Sequence, residues 1–428
     1  MTLLYVIAGI LGLLALRVPV AFALLIPSMG YFYVQNGTQA LQSMVPYALT
    51  GINSFPLLAV PLFILMGNLA NATRVTEKLF NMASSWIGHV RGSLGYVNIL
   101  VSFGFSWMSG AALADSAGLG KIEVPEMKRR GYDEKFSVGI TGASAIIGPV
   151  MPPSIPAVLY AVAGGVSLGG LLVAGIVPAF LLVFVLSIAV YIYARDKEHL
   201  RNRRTTWKER LRATLTGIPS LMAPVILLGG ILLGIFTPTE AAAGAVSYLL
   251  LLSVVQRTLS LRAFYRVLLD SAFTTASVLF IVAVAAIFGR VVAFERGPQM
   301  LADAMTTVSE NPLVFLLMVN IMVLIVGMIL EPASAILILV PVLLPVSQLY
   351  GISPLHFGSM VILNLMIGLI TPPIGMILYV LSSVTDIPVS KVLRGTSPFL
   401  PYLIFVLLLI TYFPIFTTYL PSRLLGIG

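Results

Sequence analysis

The chain has 428 residues, 58% of them hydrophobic and only 10% charged, with a formal net charge of +9. At a mean hydropathy of +1.02 it carries more apolar surface than a water-soluble core can hide, which excludes a soluble globular domain and predicts an all-α polytopic membrane protein. The lack of cysteine excludes disulfides and thiolate metal sites, and the positive charge is gathered in particular loops, as a topology signal and not as a nucleic-acid surface.

In chain order, apolar runs of membrane length fall near 1–16, 19–34, 46–72, 139–163, 167–193, 214–235, 238–256, 271–294, 359–382 and 398–420. The first has neither a basic leader nor a small-residue cleavage site, so it reads as a retained membrane segment. Two further runs, 92–120 and 312–348, are interrupted. Residues 74–90 and 258–270 mix charged and apolar positions and read as interfacial amphipathic helices.

One loop holds Arg195, Lys197, Arg201, Arg203, Arg204, Lys208, Arg210 and Arg212. Placing it in the cytoplasm brings Arg17, Arg74 and every other Lys and Arg to that side except Arg290, Arg296 and Arg423, and puts both termini outside. This thread closes only if 92–120 and 312–348 each leave the membrane on the side where they entered. Both are therefore expected to be re-entrant hairpins. The first opens to the cytoplasm and turns near Ser106, Ser109 and Gly110; the second opens outward and turns near Glu331, Pro332 and Ser334. Such tips carry small, polar or helix-breaking residues and are tolerated at membrane depth only under the cover of other helices.

Two apolar runs cannot be unbroken helices. Gly148–Tyr160 contains Pro152 and Pro153, and Gly368–Tyr379 contains Pro372 and Pro373. Proline has no N–H, so the carbonyls of Gly148 and Pro149 lose their helical partners. Unwound carbonyls of this kind are natural Na⁺ ligands, and a doubled broken helix points to the binding site of a secondary transporter.

The doubling is general. Pro125 and Pro345, Gly131 and Gly351, Gly148 and Gly368, Gly175 and Gly395, and Pro178 and Pro398 are each separated by the same offset, which divides the chain into repeats 1–208 and 213–428. The basic loop 121–135 matches 341–355, which has no Lys or Arg, and uncharged 164–173 matches 384–393 with Lys391. Opposite charge bias at matching positions predicts inverted topology with a site between the repeats.

Candidate ligands form two groups. Ser109, Gly110, Asp115, Ser144 and Gly148 belong to the first hairpin and first break; Glu331, Ser334, Asn364, Gly368 and Thr371 belong to the second. All offer hard oxygen donors, suited to an alkali cation and not to a transition metal. For a single Ser or Thr the plainer role is a hydrogen bond back to its own helix. Asp115 and Glu331 are equally suited to capping a hairpin helix or to holding an ion, and Glu240 in Thr237-Pro238-Thr239-Glu240 is read as an N-terminal cap. Arg290 is a basic residue within an outer-leaflet span. Snorkelling is its simpler role, with contact to an anionic substrate as the alternative. There is no P-loop, and His89, His199 and His356 are scattered on predicted loops without metal spacing. No catalytic constellation is present and no cofactor is expected.

The stretches S-G-A-A-L-A-D-S-A-G-L-G (109–120), P-E-M-K-R-R-G-Y (125–132), I-G-P-V-M-P-P-S-I-P (147–156), G-I-F-T-P-T-E-A-A-A (234–243), L-E-P-A-S-A-I-L-I-L-V-P-V-L-L-P (330–345) and N-L-M-I-G-L-I-T-P-P-I-G (364–375) together resemble the large membrane subunit of tripartite ATP-independent periplasmic (TRAP) transporters. The resemblance covers essentially the whole chain. It implies an elevator-type, Na⁺-driven importer of organic anions in a bacterial or archaeal cytoplasmic membrane. It also implies two partners, a periplasmic binding protein and a small four-helix membrane subunit. Because the chain starts at the large subunit's first segment, that small subunit is expected on a separate polypeptide. One Na⁺ is implied among Ser109, Ser144, Gly148 and the carbonyls before Pro152, and another among Asn364, Gly368 and Thr371. The family often has Ser where this chain has Ala111 and Ala145, and Asp-Pro where it has Glu331-Pro332, which leaves more coordination to carbonyls. The mobile transport domain is expected at about 92–163 and 312–382, and scaffold and arm helices at about 1–91, 167–294 and 396–428. A self-sufficient Na⁺- or H⁺-coupled carrier of a related inverted-repeat fold is the alternative reading.

Overall fold

The computed structural model describes residues 2–73, 75–201 and 204–427; Arg74 and Arg203 of the charge thread lie outside the described residues. Among these residues all regular structure is helical. Helices α1 (Thr2–Ala15) and α2 (Val20–Gln42) pack together around the turn at Arg17. The 46–72 run is not one element. It divides into α3 (Met44–Ile52) and, after a short 3₁₀ turn, α4 (Ala59–Ala72), because Pro56 cannot donate to the carbonyl of Ile52 and Asn53 and Ser54 leave helical geometry. Helix α5 (Val75–Ile87) is the separate helix expected at 74–90.

The first interrupted run folds as α6 (Ser93–Ser109) and α7 (Ala112–Arg129), joined at Gly110, whose φ of 59° lies in the left-handed region that glycine enters without strain. Thus Ser106 and Ser109 end a helix, and the tip itself is Gly110–Ala111. The first broken helix is α8 (Glu134–Ala145), α9 (Ile147–Val150) and α10 (Ile155–Gly164), bent by 42°. Helices α11 (Leu168–Ala174) and α12 (Ile176–Ala194) follow as one membrane-length stretch, then α13 (Trp207–Leu232) and α14 (Pro238–Val255).

Helix α15 (Leu261–Phe294) differs from expectation. Its 34 residues run on through the segment expected to lie at the interface, since no Gly or Pro interrupts 261–288. After α16 (Gly297–Val308), the second hairpin is α17 (Pro312–Gly327) and α18 (Pro332–Leu349). The second broken helix is α19 (Pro354–Gly368) and α20 (Met376–Thr385); both Pro152-Pro153 and Pro372-Pro373 are cis. Helices α21 (Val389–Thr396) and α22 (Leu400–Tyr412) form the last membrane-length stretch. The 398–420 run then ends early at Phe413–Pro414, leaving α23 (Ile415–Leu425) as a separate helix.

Seven continuous helical stretches among the described residues are long and apolar enough to cross a membrane; the broken helices and the shorter apolar α1 and α2 complete the bundle. The halves interlock. Helix α7 packs on α20 and α10 on α18, so each hairpin's return helix lies on the half-helix beyond the other half's break. Helix α21 packs on α8 through Gly139 and Gly395, where a Cβ on either would strike the other segment's backbone carbonyl. Helices α12 and α22, expected among the scaffold and arms, have their main contacts with each other and with α6, α8, α9 and α19. They group with the hairpins. Those packing partners are distant in the chain.

Candidate functional site

Each hairpin tip is tied to one Pro-Pro break by the same contact. The Ile155 N–H, two residues beyond Pro153, donates to the Gly110 carbonyl at 3.4 Å, and the Gly375 N–H, two beyond Pro373, donates to the Met328 carbonyl at 3.3 Å. A side chain at Gly110 would place its Cβ 2.7 Å from the Pro153 oxygen, so only glycine lets this tip approach. Of the carbonyls expected to be freed, that of Pro149 is taken by the Ser154 hydroxyl, which also caps α10 at Ala157. The Gly368 carbonyl accepts from Thr371 N–H at 3.0 Å. Among the described residues the Gly148 carbonyl accepts no hydrogen bond.

The first group converges. Asp115 lies in the first turn of α7, fully buried, and its Oδ2 lies against the bare Cα of Gly148, where a Cβ would strike it and would lie 3.8 Å from Ser109 Oγ. Ser109 Oγ and the Asp115 carboxylate are buried side by side, and among the described residues neither has a well-formed hydrogen bond to any group beyond the other; Asp115 does not cap its helix. Ser144 faces α6 instead: it accepts from Ser102 Oγ at 2.7 Å and donates to Asn98 Oδ1 at 2.8 Å, while Asn98 donates to Thr141 Oγ1 at 2.7 Å. Ser106 bonds back to the Phe103 carbonyl.

The second group repeats the theme. Asn364 donates to the Asn320 backbone oxygen at 2.8 Å and to its Oδ1 at 2.7 Å, and Asn320 donates to Thr411 Oγ1 at 3.0 Å. Asn364 Oδ1 and Ser334 Oγ are left buried and unpartnered. Thr371 donates to the Ile367 carbonyl, which still leaves its oxygen lone pairs able to meet a cation. Glu331 holds the N-cap position of α18 without a capping hydrogen bond. Orphaned buried oxygens without buried basic partners fit a small hard cation. Among the described residues no cluster of His and acids suits a transition metal.

Both tips open into one cavity of about 280 Å³, lined by Ser109–Ala114 of the first hairpin and Glu331–Ala333 of the second, with Gly67 and Asn68 of α4 and Thr274 and Val278 of α15 forming the opposite wall. The N-termini of α7 and α18 both face it, each a partial positive charge.

The arrangement has a counterpart among known proteins. Residues 7–416 match the family model "Tripartite ATP-independent periplasmic transporter, DctM component". The chain belongs to this family. It is 45% identical over 423 residues to the sialic acid TRAP transporter large permease protein SiaM of Vibrio cholerae, covering 99% of each chain. It is 38% identical over 371 residues to the C4-dicarboxylate TRAP transporter large permease protein DctM of Pseudomonas aeruginosa, covering 86% of this chain and 87% of that one. Among solved structures, the Alcanivorax borkumensis YdaH transporter shares the fold with a TM-score of 0.64 at 13% identity, covering 91% of this chain and 95% of that one. As a DctM-family chain it is a multi-pass membrane permease and not an enzyme.

Within this permease, residues that sequence reading did not single out complete both groups. Asn98 and Asn320 hold the broken helices to the hairpins, and their signal was an amide within a hairpin helix in each half. His356 is not on a loop: it is buried in the first turn of α19, with ring nitrogens 2.8 Å from Thr417 Oγ1 and 3.2 Å from the Thr411 carbonyl. Glu240 caps α14 as expected, in a capping box with Thr237. Arg290 lies outside the tip cavity, its guanidinium 5.2 Å from the centre of the Tyr47 ring.

Proposed function

We propose that this permease imports an organic anion in symport with Na⁺, working with a small membrane subunit and a periplasmic substrate-binding protein. The observation that carries the reading is the single cavity into which both hairpin tips open, with orphaned buried oxygens behind each tip. An isolated carboxylate such as that of Asp115 costs several kcal/mol to bury, and a bound Na⁺ removes that cost while drawing α7 against Gly148. The second Na⁺ is assigned to Asn364, Gly368 and Thr371.

Coupling follows from charge. Glu331 is the one carboxylate lining the cavity among the described residues and repels an anion unless cations are held nearby, whereas the N-termini of α7 and α18 favour the substrate carboxylate. In the elevator step, the hairpins and broken helices move as one body past α1–α4 and α13–α15. Helices α12 and α22, packed against the hairpins, travel with them. The 45% identity to a sialic acid permease makes acidic sugars the first substrates to test.

The test is uptake into proteoliposomes holding this chain and its small subunit, under an inward Na⁺ gradient, with and without binding protein loaded with sialic acid or a C4-dicarboxylate. Uptake that needs both Na⁺ and the binding protein is expected. Uptake of the free acid without binding protein would make the chain a self-sufficient carrier and defeat the proposal.

A further inference from the structure

Two further cavities flank the tip cavity, one on each side along the helices that line it. One, of about 380 Å³, runs between α15 and the pair α10 and α18, and is lined by Thr50, Ser54, Val162, Leu337 and Arg290. The other, of about 430 Å³, runs between α4 and α7 and includes Glu77 and Lys121. The shared helices fix the order. On α15, Thr274 and Val278 line the tip cavity and Gly289 and Arg290 the first flanking cavity, so at 1.5 Å per residue Arg290 lies roughly 18 Å beyond Val278. Helix α15 starts on the side of the basic loop 195–212, so the Arg290 cavity opens on the opposite face, which the charge thread assigns to the outside.

The two flanking cavities differ electrically. The inner one is lined by both a cation and an acid, Lys121 and Glu77. The outer one has Arg290 alone: no acidic residue lines it, and Arg290 forms no ion pair among the described residues. Its guanidinium is held by the face of Tyr47, which fixes the charge without neutralising it. Thr50 and Ser54 add hydroxyls on the facing wall.

We propose that this outer cavity is an anion-receiving site, in which Arg290 takes the carboxylate of the incoming substrate before it reaches the hairpin tips. The proposal deepens the import reading above and rests on it for direction. A lone cation in a low-dielectric cleft focuses the field and raises the local anion concentration. The neutral inner cavity offers no such hold, which favours release there. Arg290 is thus a positioning residue for capture, distinct from the ion groups at the tips.

The chain has no cysteine, which permits a direct measurement of the field. In a Ser54→Cys variant in proteoliposomes, the rates of modification by an anionic and a cationic methanethiosulfonate of similar size are compared. Adding Arg290→Gln is expected to lower the anionic-to-cationic rate ratio about tenfold at low salt, with Arg290→Lys restoring it. A ratio unchanged within about twofold would overturn the proposal. In parallel, Arg290→Gln alone is expected to raise the KM for uptake about tenfold with Vmax and Na⁺ dependence retained; a fall in Vmax at unchanged KM would also overturn it. If the unsubstituted protein shows no Na⁺-dependent uptake, the import reading fails by itself, and the rate ratio still decides whether Arg290 makes the cleft attract anions.

Discussion

Gly327 and Gly368 meet backbone to backbone where the second hairpin crosses the second broken helix: a Cβ on Gly368 would lie 2.7 Å from the Gly327 Cα and oxygen. The neighbour is main chain and cannot rotate away. Gly368→Ala is therefore expected to push α17 off α19 at a cost of about 3 kcal/mol and to abolish uptake. Gly229→Ala, which meets nothing within 4 Å in α13, serves as the control and is expected to be neutral or slightly stabilising. Thermal unfolding of the two purified variants by intrinsic fluorescence checks both.

Asp115 gives the ion assignment its sharpest test. A cation held by Asp115, Ser109 and the Gly148 carbonyl binds only the folded protein, so it stabilises by mass action, by about 2.7 kcal/mol at a hundredfold excess over its Kd. The melting temperature is expected to rise when choline is replaced by Na⁺. Asp115→Asn is expected to reduce that rise by at least half while leaving the melting temperature in choline unchanged or higher, since it removes a buried charge that no basic group offsets. An undiminished Na⁺ shift in Asp115→Asn removes this residue from the site.

The asparagine pairs should act independently. Asn320→Ala removes an acceptor from Asn364 and a donor from Thr411; Asn98→Ala removes an acceptor from Ser144 and a donor from Thr141. Each is expected to cost about 1–2 kcal/mol and to raise the Na⁺ concentration for half-maximal uptake several-fold. The two networks lie on different hairpins, so the double variant is expected to match the sum within about 0.5 kcal/mol. Coupling well above that in a double-mutant cycle would show the networks to be one unit.

The breaks and hairpins were legible because each leaves a chemical trace at one position: proline without an N–H at 152, 153, 372 and 373, and glycine or a helix-breaking pair at the tips. What the sequence hid depends on partners far away. Asn98 and Asn320 carry no signal of their partners in the sequence, and only the fold shows that they face Ser144 and Asn364. Charges at Arg262, Arg266 and Asp270 suggested an interfacial helix, yet nothing between Leu261 and Phe288 ends a helix, and α15 runs straight on. The corresponding stretch of the first half does break, at Asn53–Pro56, so equal patterns of hydropathy gave unequal elements. Helices α12 and α22 look like any other spans, and only their packing assigns them to the hairpins.

Thr237 and Glu240 separate helix stability from transport. The Thr237 hydroxyl accepts from the Glu240 N–H at 3.3 Å, and Glu240 Oε2 accepts from the Thr237 N–H at 2.8 Å, closing two otherwise unpaired donors at the start of α14. Thr237→Ala removes one of these bonds and is expected to cost about 1 kcal/mol. Because α14 packs on α4 and α13, away from both tips, the Na⁺ dependence and KM of uptake are expected to stay unchanged. A variant that melts a few degrees lower with unaltered Na⁺ response fits the cap; a shifted Na⁺ response would draw α14 into the ion-coupled machinery.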